Sequence, residues 1–347
     1  MFEAIVTLCL LGDPQTCRDA LLPGYEGADR AACEAALLDD PPDLIALAQV
    51  ADPGMPHCAE TGPALAVEEV ATGVFVHRGG IAEAGAVNRG DVSNAGFVIG
   101  ETAVAVIDTG GSRAVGEALY RAVRSRTDLP IRTVILTHMH PDHVLGASVF
   151  AEAGAEVIGH ARLPRALADR AQSYLDGFGR LIGPVGFLGT EVPETLREVT
   201  EVTLLDLGGR SLELRAWRAA HTGTDLTVLD SESGLLFAGD LVFADHAPAL
   251  DGSLTGWQRV LEEIGGMPLA GLVPGHGGPL LDWPEGGAPL VGYLDVLAAD
   301  TRAAIDRGDT LSEAVATVAQ SEADEWSLFR LFNPRNATVA YTELEWE

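Results

Sequence analysis

Thr137-His138-Met139-His140-Pro141-Asp142-His143-Val144-Leu145-Gly146 sits between two contrasting patterns. The apolar run Ile131–Leu136 before it has the length of a buried strand, and an Ala-rich helical pattern follows Gly146. Three histidines and an aspartate therefore crowd the C-terminal end of a strand, where open α/β layers usually carry their chemistry. Four such polar groups in one turn need partners. A pair of divalent ions supplies them, since neutral imidazoles suit zinc and a carboxylate completes a second site. The alternative is a His-rich surface turn, which must place four specified residues at fixed offsets by chance.

The chain has 347 residues, enough for one large domain with appendages or for two domains. No apolar run reaches the ~20 residues of a membrane span. Acidic residues outnumber basic ones 51 to 22, for a net charge of -29, and every basic residue is Arg. Such a surface repels nucleic acid and anionic membranes, which argues against a nuclease. All four cysteines, Cys9, Cys17, Cys33 and Cys58, lie in the first 58 residues, away from the histidines. They suggest a two-disulfide module with three connectivities open, and so an oxidising, periplasmic setting. Met1–Leu11 is apolar but lacks a basic n-region and a cleavage site, which leaves a cytoplasmic location open.

In order, residues 1–63 form a small Cys-containing module. Helical patterns are expected around Arg18–Leu22 and Arg30–Leu38. Residues 64–289 follow with strands over Leu65–Val70, Gly73–His77, Gly96–Ile99 and Ala103–Ile107. A helix is expected from Arg113 to about Arg126, another over Ala147–Ala153, then a strand over Glu156–Gly159 and a helix over Ala161–Gly179. After a Gly/Pro-containing excursion, Leu181–Val199, strands resume at Val202–Leu207, Ser211–Trp217, Leu226–Leu229 and Leu235–Phe237. His221, Asp240 and His276 each lie just past an apolar strand of this second set, beside glycine, which permits the close approaches of a crowded site. The extension 290–347 is mostly helical (Tyr293–Arg307, Ser312–Ala319, Glu325–Phe332) with a strand-like end, Ala337–Leu344. It offers a lid or a homodimer contact. Two halves of strands followed by helices fit a four-layered αβ/βα sandwich whose loops converge on one edge.

These residues resemble the metallo-β-lactamase superfamily, whose signature is His-x-His-x-Asp-His with three later ligands. The likeness covers roughly Ala64–Asp282. It implies that His138, His140 and His221 bind a first zinc, that Asp142, His143 and His276 bind a second, and that Asp240 bridges both. Asp108 matches the family's acidic residue that supports the ligands. Asp240 stands where the drug-hydrolysing branch has Cys, and so resembles the thioesterase, lactonase and phosphodiesterase branches. The absence of Lys departs from the glutathione-thioester hydrolases, and Ala219-Ala220-His221-Thr222 departs from the usual Pro-Gly-His-Thr. The inserted domain of the RNA-processing branch is missing. The N-terminal cysteines, the Asn88–Phe97 loop, and Asn333-Pro334-Arg335-Asn336 through Glu345-Trp346-Glu347 further resemble the quinoprotein relay system zinc metallohydrolases. That likeness implies a link to a pyrroloquinoline quinone-dependent dehydrogenase.

The chemistry expected of such a cage is hydrolysis of an ester, thioester, lactone or similar bond in a small molecule by a metal-bridging hydroxide, with Asp142 orienting it and taking its proton. Two rivals are a di-iron redox enzyme on the same cage and a non-catalytic maturation or accessory protein. Iron tolerates carboxylate-rich ligation. Expected walls of the substrate cleft are Asn88, Asp91, Asn94, Asp225, His246, Asp251 and Trp257.

Overall fold

The computed structural model describes residues 1–194 and 197–347. Strand β1 (Phe2–Leu10) is the middle of a small antiparallel sheet. It pairs on one side with β2 (Asp13–Gly27), which precedes helices α1 (Arg30–Asp39) and α2 (Leu47–Val50). On its other side it pairs with β3 (Asp52–Pro53) and β4 (His57–Glu60). The helix expected over Arg18–Leu22 is instead part of β2. Val6, Leu8, Ala20 and Leu22 are buried together, so cross-strand packing overrides the local helical pattern. The cysteines pair as Cys9–Cys17, across β1 and β2, and Cys33–Cys58, tying α1 to β4. The second bridge spans 25 residues. Its replacement by Cys33→Ser with Cys58→Ser should lower unfolding free energy by about 3 kcal/mol. A urea midpoint unchanged by the double substitution would refute this.

The small sheet is fastened to the rest through buried charges. From α3 (Arg113–Arg124), Arg113 meets Glu117 on its own helix and Glu152 on α5 (Ser148–Glu152), and donates to Leu21 O in β2 at 3.0 Å. Arg18 of β2 pairs with Glu117 at 2.9 Å, and Arg121 pairs with Glu3 at 2.8 Å.

A seven-stranded sheet follows. β5 (Glu68–Ala71), β6 (Val74–His77), β7 (Ala95–Ile99) and β8 (Val104–Ile107) run antiparallel. β9 (Ile131–Leu136), β10 (Glu156–His160) and β11 (Arg197–Val199) extend it in parallel beyond β8. Between β9 and β10 lie the one-turn α4 (Pro141–Val144) and α5; between β10 and β11 lie α6 (Leu163–Ile182) and α7 (Pro184–Phe187). The excursion over Leu181–Val199 thus holds α7 and β11, and its positions 195 and 196 lie outside the described residues. The second sheet runs β12 (Val202–Asp206), β13 (Ser211–Ala216), β14 (Leu226–Asp230), β15 (Leu235–Phe243) and β16 (Gly271–His276), with α8 (Leu254–Gly265) before β16.

The sheets pack face to face through Val98, Ile107, Ile135, Leu214, Val228 and Phe237. Leu119, Val123 and Phe150 cover the outer face of the first sheet, and α8 and the tail cover the second. This is the αβ/βα order read from the sequence. The tail comprises α9 (Ala288–Arg307), α10 (Leu311–Thr317) and α11 (Phe329–Leu344). The strand-like end expected over Ala337–Leu344 is helical. Val339, Tyr341 and Thr342 give it a β-like composition, but its buried positions, Asn333, Asn336, Ala337, Ala340 and Leu344, recur at helical spacing. No described helix is long and apolar enough to cross a membrane.

Candidate metal centre

Strand ends of both sheets deliver the polar cluster to one edge. Asp108 follows β8, His138 and His140 follow β9, and Asp142 and His143 occupy the single turn of α4. Asp240 lies within β15 and His276 ends β16, while His221 comes from the loop between β13 and β14. Ligand-type atoms of His138, His140, His221 and Asp240 lie within 4.8 Å of one another, as do those of Asp142, His143 and His276. Asp240 joins the two groups. Its Oδ2 lies 3.4 Å from His221 Nε2 and 3.6 Å from His138 Nε2; its Oδ1 lies 3.1 Å from His143 Nε2 and 3.4 Å from His276 Nε2. Glycine at 275 is required for this approach, because a Cβ there would collide with Asp240 Oδ1.

Each histidine has one ring nitrogen held from outside, which fixes its ring and leaves the other for a ligand. His138 Nδ1 meets Thr137 Oγ1 at 3.0 Å, His143 Nδ1 meets Asp108 Oδ2 at 2.8 Å, and His276 Nδ1 meets Val92 O at 2.9 Å. His221 Nδ1 is held by Ala249 O. His140 is reversed: Nε2 contacts Asp251 Oδ2 at 3.2 Å, and Nδ1 lies 2.9 Å from His221 Nε2. Asp108 also accepts from Thr137 N and Thr137 Oγ1, so one carboxylate aligns the strand end and a cluster histidine. Its left-handed backbone, φ 55°, turns the chain there. Asp108→Ala should weaken metal binding about 10–100-fold. Chelator competition giving the wild-type affinity would remove Asp108 from this support role.

The donor set fits metal ions. His138 Nε2, His143 Nε2 and Asp240 Oδ1 are buried without a hydrogen-bond partner, and all belong to the cluster's inner surface. Burying such atoms unpaired is costly, so their convergence points to a cation. Burial lowers the pKa of His138, and holds His221 down to about 3, keeping both rings neutral. Burial also opposes charge on His143 and His276. The carboxylates outweigh it: Asp240, Asp108 and Asp142 hold His143 well above its usual value, and Asp240 with Asp142 hold His276 up at about 9. Metal binding by those two rings would therefore release protons.

A cavity of about 490 Å³ opens over the cluster, with His140, Asp142, Asp240 and His276 at its base. Two of the expected wall residues, His246 and Asp251, line it. His246 stacks on His276 with ring centroids 4.6 Å apart. Asp251 bridges His140 and Arg170; burial opposes its ionisation, but these partners hold its pKa down to about 2. The other five lie elsewhere. Asn88 closes its own loop on Gly85 N and Gly90 N, and Asp91 pairs with His77. Asn94 is buried against Pro274 O and Gly277 O. Asp225 sits behind His221, accepting from Thr222 N and Thr222 Oγ1, with its pKa raised to about 7 by burial. Trp257 is wholly buried and donates to Leu241 O. Their polarity serves turns and packing. The reading missed Arg170, Tyr174 and Phe178 on α6, and Phe332 and Arg335 on α11. Helix α6 was legible, but helical periodicity does not say which face meets a loop from another layer; Arg335 lay between the helix expected to end at Phe332 and the strand-like end expected from Ala337.

A four-layered sandwich with a His/Asp cluster at the shared edge of its sheets defines a class of metal-binding αβ/βα proteins. The profile described as the Metallo-beta-lactamase superfamily matches residues 88–276, more than half of the sequence, and the chain belongs to that superfamily. Solved structures agree at the level of fold. A metallo-beta-lactamase from Pontibacter korlensis is 20% identical, with a TM-score of 0.54 over 67% of this chain and 99% of that one. TMB-1 is 23% identical, with a TM-score of 0.52 over 67% and 98%. A double mutant of the sec-alkyl sulfatase PisA1 is 16% identical with a TM-score of 0.60; it covers 80% of this chain, which spans half of that protein's length. No curated protein matches the chain by sequence.

Proposed function

We propose that this chain is a binuclear zinc hydrolase acting on an ester, thioester, lactone or similar bond of a small molecule. The observation that carries the reading is the set of inward, unpartnered His138 Nε2, His143 Nε2 and Asp240 Oδ1 beneath an open cavity. His138, His140 and His221 would hold one ion and Asp142, His143 and His276 the other, with Asp240 facing both. The chemistry such ions supply when bound is Lewis acidity and acidification of water. The protein's part is positional. Asp142, whose side chain is 16% exposed, is the cluster carboxylate best placed to receive a proton from the cavity. Its pKa is held low: burial opposes this, but His143 and His276 prevail.

Superfamily membership and the two disulfides support this reading, the latter favouring an oxidising compartment such as the periplasm. The likeness to the quinoprotein relay system group extends it to a functional link with a quinoprotein dehydrogenase. A strain lacking this protein should then show reduced dehydrogenase activity. The test of the core reading is metal analysis of protein purified without added metal, followed by turnover on ester, thioester and lactone panels. About two zincs per chain with turnover is the expected result. Two irons would overturn zinc, and two zincs with no turnover on any panel would overturn hydrolysis.

A further inference from the structure

The wall of the cavity over the cluster includes a part of the chain outside residues 88–276. Helix α11 supplies Leu331, Phe332, Arg335 and Val339. That helix is fastened in register. Asn336 is 1% exposed; its Oδ1 accepts from Leu250 N at 2.9 Å, and its Nδ2 donates to Pro248 O at 2.7 Å and to Tyr293 Oη at 2.8 Å. Asn333, wholly buried, accepts from Tyr293 Oη at 2.8 Å and donates to Val318 O at 3.0 Å. Satisfied buried amides of this kind specify one arrangement. They lock α11 to the loop that carries Asp251, and so seat Arg335, one residue before Asn336, at the cavity.

Among the described residues Arg335 takes part in no salt bridge and no side-chain hydrogen bond, although the chain's net charge is -29. The other cavity arginine, Arg170, is engaged by Asp251 at 2.7 Å. Glu83, an exposed carboxylate on the rim, pairs with neither. Much of the remaining wall is apolar, with Phe178, Leu181, Leu331, Phe332 and Val339 in it. A free guanidinium presents paired N–H donors that match carboxylate, sulfate or phosphate oxygens.

We infer that the substrate is an anionic amphiphile: an apolar body lies along α6 and α11, an acidic group remote from the reacting bond is held by Arg335, and the reacting bond lies over the His/Asp cluster. This rests on the hydrolytic reading of the site. It assigns selectivity to the C-terminal helix.

Calorimetric titration of the metal-loaded, full-length protein tests it with two probes of equal length, suberic acid monoamide and octanamide. The charged probe should bind about tenfold tighter, as expected of a charge-assisted contact. In Arg335→Met that advantage should disappear while octanamide binding stays unchanged. Arg335 is exposed, so the variant should keep the wild-type urea midpoint. Equal binding of the two probes, or no binding of either, would overturn the inference; so would a preference that survives Arg335→Met, which would seat the anion on the metals or Arg170. Octyl sulfate and octyl phosphate serve as further arms, and the tightest Arg335-dependent binder identifies the acidic group. Arg335-dependent binding without turnover on any ester, thioester or lactone would count against hydrolysis while supporting this inference.

Discussion

Asp240→Ala should leave a folded protein that no longer retains both metal ions. Asp240 is the one described carboxylate placed between the two ligand groups, with an oxygen toward each. Losing a residue that merely orients a ligand typically weakens metal binding about 10–100-fold. Losing the carboxylate that faces both sites should exceed that range, and activity should fall with metal content. Asp240→Asn preserves shape but replaces an anionic oxygen donor facing both groups with a neutral amide, so it should weaken binding nearly as much. His221→Ala should by contrast deplete only the group containing His138 and His140. Metal analysis after dialysis separates these outcomes. Two ions retained in both Asp240→Ala and His221→Ala would sink the ligand assignment.

Arg113→Ala should cost about 3–5 kcal/mol of stability. The guanidinium is wholly buried, meets Glu117 and Glu152, and also donates to Leu21 O. Truncation leaves two carboxylates and a strand carbonyl facing an apolar gap, with Arg18 as the remaining cation on Glu117. The penalty comes from the stranded partners rather than from the worth of the pair. Arg113→Met combined with Glu152→Gln, which leaves Glu117 paired with Arg18, should therefore recover much of the loss. Urea denaturation reads both. A loss below about 1 kcal/mol for Arg113→Ala would show that water reaches the network and screens it.

The sequence was most informative where chemistry was dense. The stretch His138–His143, just past one strand end, carried four of the seven cluster residues, and Asp240 and His276 stood out through the glycines beside them. The alternation of strand and helix around them carried the layer order. Two kinds of information were not local. Arg18–Leu22 has a helical composition but pairs along β1, and Ala337–Leu344 has a strand's composition but packs as a helix; in both, distant partners outweigh propensity. The cavity wall failed for a related reason. Asn88, Asn94, Asp225 and Trp257 are near the cluster in sequence or type, yet their side chains turn into loops and core. Arg170 and Arg335 come from helices whose inward faces become defined only when the layers stack.

Glu343 accepts from Ser253 Oγ, Leu254 N and Thr255 N, so the last helix also caps the start of α8. The order of the chain is then an order of assembly during synthesis. Every cluster residue is incorporated by position 276, whereas the helix that walls the cavity and caps α8 is incorporated only over Phe329–Leu344. A polypeptide terminated before position 329 would carry the whole His/Asp set beneath an opened cavity. Exchange or loss of that helix could thus change the cavity wall while leaving the His/Asp cluster in place.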